Sequence, residues 1–438
     1  MIGAELPSQL RVGVVAPCPF PSARGSQALI REVAEALAAR GHQVHVISYP
    51  LGEHLVPIRG ITLHRTCTLW GKWIERLPWL LRKLVWDCFL VLTVYAVVKK
   101  HRIHVLHVHN YEGPVVACIA RWLSGCPVVY HAHNLLCDEL PAYFRVPIMR
   151  WLARRTGHLA DRWIPRLADA VVVLSRAQKE GLADCGIDPD RIAVIPPAAP
   201  ELSRKDTKIA RTRTLLSDRF ILGYAGNLDA YQDLELLARA FCLLRECTPN
   251  VGLLLVTHEH DWTKLAPGEL RAIAGSPDVE VVVCRSFEEV RLWLQRADLW
   301  VCPRSSWSGF PIKVINVAAL GKPVVISSGV ARGVQWTDPE TIFEAGNAEA
   351  LRDLLMRMVQ SPHALEHAAQ AALRWVSCLP AAAQVAESME RVFRSAWWFC
   401  NNGLGSLLRI AEHDLGVDRH PWTSYKRADV SREDEARA

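Results

Sequence analysis

The chain has 438 residues, half of them apolar and 22% charged, with a formal net charge of +6. That length and balance suit two ordinary domains, each with its own core, and exclude a fibrous or disordered chain. So small a net charge gives no reason to expect a nucleic-acid partner. The cysteines, 13 in all, are scattered without a Cys-x-x-Cys pair, which suggests free thiols in a reducing compartment. Met1–Leu10 lacks the basic flank and apolar centre of a leader segment. The longest uncharged apolar run, Cys88–Val98, is too short to span a bilayer. A cytoplasmic protein is expected.

In chain order, Leu10–Ala16 reads as a buried strand and Pro17–Arg24 as a Pro-rich loop. Gly25-Ser26 opens a helix running to about Arg40, and Gly41-His42 turns into the strand Gln43–Ser48. Gly25 and Ser26 are candidate ligand neighbours, because small residues let the backbone approach a bound molecule; a plain turn accounts for them equally. Trp70–Arg102 carries Trp73, Trp79 and Trp86 among Lys72, Arg76, Arg82 and Lys83. Arg145–Arg166 repeats the mixture with Arg150, Arg154, Arg155, Arg162, Trp151 and Trp163. Tryptophan beside cationic residues at helical spacing suits an anionic membrane surface, and a surface helix with one face in the core is the competing explanation.

His104–His109 and Pro127–His133 read as two more strands. They end in His107-Val108-His109 and His131-Ala132-His133, and His258-Glu259-His260 repeats the spacing. Alternate residues share a strand face, so each pair has metal-ligand spacing. A metal site needs three or four converging ligands, and no metal is expected here. Strand C-termini facing the crevice of an open α/β sheet are the preferred explanation. Ala168–Leu174, a helix over Ser175–Cys185 and the strand Arg191–Pro196 complete the first half. The first domain is expected over 1–200, with 201–218 as a polar, basic linker.

Phe220–Ala225 restarts the pattern: a strand, the turn Gly226-Asn227-Leu228, and a helix over Asp233–Glu246. Gly252–Thr257, Val279–Cys284 and Leu299–Cys302 continue it, so a second doubly wound parallel sheet is expected over 219–375. The richest stretch is Pro303–Ile326. A turn at Ser308-Gly309-Phe310-Pro311 follows a buried strand. A helix starts near Pro311, with Ile312, Ile315, Val317 and Ala319 on its apolar side, and Gly321 caps it. The N-terminus of such a helix can hold a phosphate. Residues 347–400 are helical in pattern. A helix within 376–400 is expected to return to the first domain, and 401–438 form a polar tail.

Pro311-Ile312-Lys313 and Gly321-Lys322-Pro323-Val324-Val325 resemble the donor-binding loop and helix of family 4 glycosyltransferases. So do Val128–Asn134, Asp169–Ser175 and Ile192–Pro197, in the right order over roughly residues 10–375. The resemblance implies a GT-B fold: two Rossmann-like domains facing a cleft, with donor on the second and acceptor on the first. It implies an enzyme that moves a hexose from a nucleotide sugar to a glycan or lipid-linked acceptor, with retention and without a metal or other cofactor. His133 takes the place of the histidine that lines the active cleft. Ser308 and Asn316 fall where many members have Glu, and Asn227 and Gln232 where many have Arg and Lys. Arg304 and Lys313 are therefore expected to supply the charge that the leaving diphosphate requires. Gly226, Arg285, Gly309, Phe310, Pro311 and Ile312 complete the implied donor pocket. The lost charges equally suit a degenerate GT-B protein that binds a sugar nucleotide or a partner without transfer. An epimerase on the same fold is a third class, for which no specific motif stands out.

Overall fold

The computed structural model describes residues 6–22, 25–52, 59–66, 74, 76–200, 214–285 and 287–402. In the first half, strands β1 (Arg11–Ala16), β2 (Gln43–Ser48), β3 (Ile61–Arg65), β4 (Val105–His109), β5 (Val128–Ala132), β6 (Ala170–Val173) and β7 (Ile192–Val194) form one sheet. Its order is β3-β2-β1-β4-β5-β6-β7, parallel throughout. The second half repeats the plan with β8 (Phe220–Ala225), β9 (Val251–Thr257), β10 (Val279–Val283), β11 (Leu299–Cys302), β12 (Val324–Ser327) and β13 (Ile342–Phe343). These lie in the order β10-β9-β8-β11-β12-β13. Helices cover both faces, which is why the inner strands read as nearly unbroken apolar runs. Each sheet grows outward from its first strand and then crosses to the other side. Its switch point falls between β1 and β4, or between β8 and β11. Ligands of open α/β sheets bind at the carboxyl ends beside such points.

The helix Gly25–Ala39 buries Leu29, Ile30, Val33, Ala34 and Leu37, the spacing of one helical face. Against the same layer lies the helix Ala382–Asn402, nearly the whole chain away. Val385, Ala386, Met389, Val392, Phe393 and Ala396 share a hydrophobic cluster with Leu29, Val33 and the strands β1 and β5. Polar contacts fix its register. Glu390 pairs with Arg40 at 3.1 Å, and Arg394 donates to the carbonyl of Ser8 at 3.1 Å.

Several expectations are corrected. Strands β3 and β13 were not anticipated, the first being a half-buried edge strand and the second only two residues long. The helix expected within Trp70–Arg102 begins at Trp79; Trp70, Lys72 and Trp73 lie outside the described residues, as do most of the expected linker (201–213) and most of the tail (403–438). Trp86 is 2% exposed, within the core of the first sheet, so it belongs to packing and not to a surface.

Phe393 is fully buried. Its replacement by Ala is expected to lower stability by about 3–5 kcal/mol through the lost contacts and the cavity left behind. The check is the first unfolding transition in urea, and a loss below about 1 kcal/mol would show that this helix does not hold the first domain together.

Candidate active site

The carboxyl end of β8 builds one wall. Tyr224 is buried and donates its hydroxyl to the carbonyl of Asn227 at 2.6 Å, which pins the turn at Gly226. That glycine has a φ of +145°, a conformation that side chains rarely adopt. The amide of Gln232 donates to the Asn227 side chain at 2.7 Å, and Asn227 in turn donates to the Tyr231 hydroxyl at 3.2 Å.

Into this wall reaches Lys313, from the first turn of the helix Ile312–Ala319. Its ammonium donates to Gln232 Oε1 at 2.6 Å and stands 4.1 Å from the centre of the Tyr224 ring. The ring face attracts the cation. Burial, together with the neighbouring Arg304 cation, lowers the Lys313 pKa to about 8, so the side chain is still mostly protonated at neutral pH. Arg304 follows β11 and is 7% exposed. Its guanidinium lies 5.2 Å from the centre of the Tyr231 ring and donates to Ser306 Oγ at 3.1 Å. Glu139, on the first domain, has its carboxyl pKa raised by burial, and the Arg304 cation works against that shift.

The other wall belongs to the first domain, and the loop after β11 is tied to it. Asp138 accepts from the Ser306 hydroxyl and, at 3.0 Å, from the Ser308 N–H. Gly309 makes the closest approach, with a φ of +76°. A Cβ there would lie 3.0 Å from Arg304 Nη2 and 3.2 Å from both Asn134 Cβ and the His133 carbonyl oxygen. A Cβ on Gly25 would lie 4.0 Å from Ile312 Cγ1, so the loop after β1 also meets the start of this helix. His133 is held from two sides: Gln178 Nε2 donates to its carbonyl at 2.9 Å, and its Nε2 lies 2.9 Å from His109 Nδ1. Burial lowers its pKa to about 4, which leaves a neutral imidazole.

The structure thus gathers His133, Gly25, Gly226, Asn227, Gln232, Arg304, Gly309, Ile312 and Lys313 around one cleft. Pro311 is buried and caps the helix. Asn316, half-buried, is three residues after Lys313 and so on its face of the helix. Ser26 donates to its neighbour Gln27 at 3.1 Å. Three residues expected in the donor pocket have other partners or places in the structure. Ser308 is fully buried, and its hydroxyl donates to the Leu135 carbonyl at 3.4 Å, so it anchors the loop. Phe310 stacks on Trp375 with ring centres 5.9 Å apart and packs against the hydrophobic clusters of both halves. Arg285 is exposed after the edge strand β10, two strands out from β8. Asp138, Glu139, Tyr224 and Tyr231 were missed. The acidic pair four residues beyond the His-Asn end of β5 was the available signal for two of them.

Residues 23–200 match the profile described as "Glycosyltransferase Family 4", and residues 219–361 match "Glycosyl transferases group 1". D-inositol 3-phosphate glycosyltransferase of Pseudarthrobacter chlorophenolicus is 27% identical over 379 residues, covering 75% of this chain and 86% of that protein. Phosphatidyl-myo-inositol mannosyltransferase of Propionibacterium freudenreichii subsp. shermanii is 22% identical over 370 residues, 81% of this chain and 88% of that one. Among solved structures, Anabaena HepE in complex with UDP and glucose superposes with a TM-score of 0.67 and 16% identity, covering 88% of this chain and all of its own.

Replacing Gly309 with Ala places a Cβ in a left-handed conformation, at a cost of about 1–2 kcal/mol, and presses it against Arg304 and the His133 carbonyl. The expected outcome is a fall in kcat/KM of about tenfold with the fold retained. Wild-type kinetics in this variant would show that the loop does not need its approach to the first domain.

Proposed function

The chain belongs to glycosyltransferase family 4 and is a glycosyltransferase of the GT-B fold, and we propose that Lys313 and Arg304 provide the cationic half of its donor site. In this reading a nucleotide sugar lies against the second domain, with its diphosphate at the N-terminus of the helix Ile312–Ala319. The acceptor, a glycan or lipid-linked hydroxyl, enters from the first domain. The names of the relatives, which include a phosphatidyl-myo-inositol mannosyltransferase, and the UDP bound by HepE support this choice of substrate classes.

One observation carries the assignment: the Lys313 ammonium sits on Gln232, at the mouth of the Gly226 turn. The resemblance to family 4 implies cations on that turn and at the position of Gln232. Here the turn is neutral and the charge arrives from the facing helix. As the bond to the sugar breaks, its electron pair passes to the diphosphate oxygen. A preorganised ammonium and helix N–H groups stabilise the negative charge that develops there. Arg304, held by Tyr231 and Ser306, adds a second cation without paying for reorganisation. Neutral His133 is suited to accept a hydrogen bond from a sugar hydroxyl or to orient the acceptor.

The expected effect of Lys313→Ala is a loss of turnover of roughly a hundredfold or more, with Arg304→Ala milder. A charged lysine is needed, so wild-type kcat/KM falls as pH rises through about 8, and this limb disappears in Lys313→Ala. Turnover and donor affinity unchanged in that variant would place the charge elsewhere.

We also propose that the enzyme works on the cytoplasmic face of an anionic membrane. None of the described helices is long and apolar enough to cross one. The helix Pro147–Trp163 buries only Ala153, Gly157 and Asp161. Trp151, Trp163, Leu152 and Leu159 are exposed beside Arg150, Arg154, Arg155 and Arg162. The helix Glu112–Ser124, which lies between Ile164–Leu167 and the helix Trp79–His101, adds Trp122 at 84% exposure, with Val115, Ile119 and Leu123. Aromatic rings and arginines on such exposed helix faces suit the headgroup level of a bilayer. Each basic residue there contributes on the order of 1 kcal/mol. The purified protein is expected to float with phosphatidylglycerol vesicles at low salt and to be released at high salt; failure to float at low salt would refute membrane binding.

A further inference from the structure

Beneath the cleft, on the face of the first sheet covered by the helix Ala382–Asn402, four histidines form a ladder. His107 and His109 alternate on β4. His131, which pairs directly with His109, and His133 continue it on and just beyond β5. His107, His109 and His131 are 0%, 0% and 1% exposed, and Phe393 closes the lower end, 5.4 Å from the His107 ring. Strand positions this deep ordinarily hold Val or Ile.

Most of the imidazole nitrogens find no partner among the described residues. Both ring nitrogens of His107, both of His131, Nε2 of His109 and Nδ1 of His133 have no hydrogen-bond partner among the described residues. Each such atom costs about 1–3 kcal/mol when buried and unmet, so the cluster calls for something that bonds to several nitrogens at once. One ligand atom from each of His107, His109 and His131 can be chosen so that all lie within 4.8 Å of one another. Tetrahedral bonds of about 2.0–2.1 Å set the ligand atoms about 3.4 Å apart, so the rings turn inward to close on an ion.

We propose that His107, His109 and His131 bind a divalent transition metal of the zinc class, a site distinct from the sugar-transfer chemistry above. The ligand on His109 is Nε2, because its Nδ1 faces His133 at 2.9 Å. That contact has the form of the outer bond of a metal-bound histidine, whose second nitrogen is held by a neighbour that fixes the ring. His133 is thereby oriented from below. The ligands are in the required neutral state: burial lowers the pKa of His107 to about 3 and holds those of His109 and His131 well below the ordinary value. An all-imidazole set with no carboxylate suits zinc, copper, nickel or iron and excludes calcium or magnesium. A second trio, His45, His64 and His101, also converges. It is a poorer host, since His45 Nδ1 and His64 Nε2 already meet each other at 3.0 Å.

The test is metal content by plasma mass spectrometry after purification without chelator and dialysis. It is paired with Co2+ substitution followed by visible absorption. Wild type is expected to retain about one zinc per chain, to show the intense visible bands of tetrahedral Co2+, and, once stripped, to gain about 5 °C or more in Tm when Zn2+ is restored. His64→Ala/His101→Ala should keep all three properties, and His107→Val/His131→Val should lose them. Should the latter fail to fold, wild type and the His64/His101 variant still decide the matter. Metal-free wild type with no Tm response to Zn2+, metal kept by the His107/His131 variant, or metal lost with His64 and His101 would each overturn the proposal. The first of these results would mean that the ladder is filled by water.

Discussion

One carboxylate organises the site. Asp138 belongs to the short helix after β5, yet it receives the hydroxyl of Ser306 and the backbone N–H of Ser308 from the loop after β11. A buried backbone donor must find an acceptor, and this one finds it in the other half of the chain. Once that loop is tied down, Gly309 comes against the His133 carbonyl. Arg304 is then held beneath the loop, and the helix carrying Lys313 starts at the right height. Arg304 and Lys313, which flank this loop in the chain, are held at the cleft with it.

The fold was largely legible in the sequence. β2, β8 and β11 have the bounds that their apolar runs suggested, since a strand buried on both faces is built mostly from apolar residues. β3 escaped because an edge strand is half wet and its pattern is weak, and β13 because two residues carry no period. The site was legible only in part. Lys313, Arg304 and Gly309 are conspicuous by type and position. Which side chain covers which wall depends on two segments that are remote in sequence, and periodicity does not report that. Ser308 and Phe310 illustrate the gap. They sit in the most recognisable stretch of the chain, yet one anchors the loop and the other packs on Trp375. Convergence of the histidines was equally invisible: the alternation on β4 and β5 could be read, but not their direct pairing in register.

In the proposed donor site the charge is relocated without a change of fold. A lysine on the Gly226 turn would sit in water until the ligand arrived. Lys313 instead lies over Tyr224, partly desolvated and already bonded to Gln232. Desolvation costs the cation affinity for its proton, which is why its pKa falls toward 8. In exchange the cation needs no reordering when negative charge develops nearby.

The returning helix Ala382–Asn402 has a mechanical consequence. The chain leaves the first half after β7 and comes back to it after the helix Pro362–Ser377, so the halves are joined at two places. Those crossings touch, because the Ala199 N–H donates to the Pro380 carbonyl at 2.9 Å. A single tether would leave two bodies free to tumble about three axes. Two tethers that touch at Ala199 and Pro380 hold the halves together at one shared edge, so the junction resists separation of the halves more than a single strand of chain would.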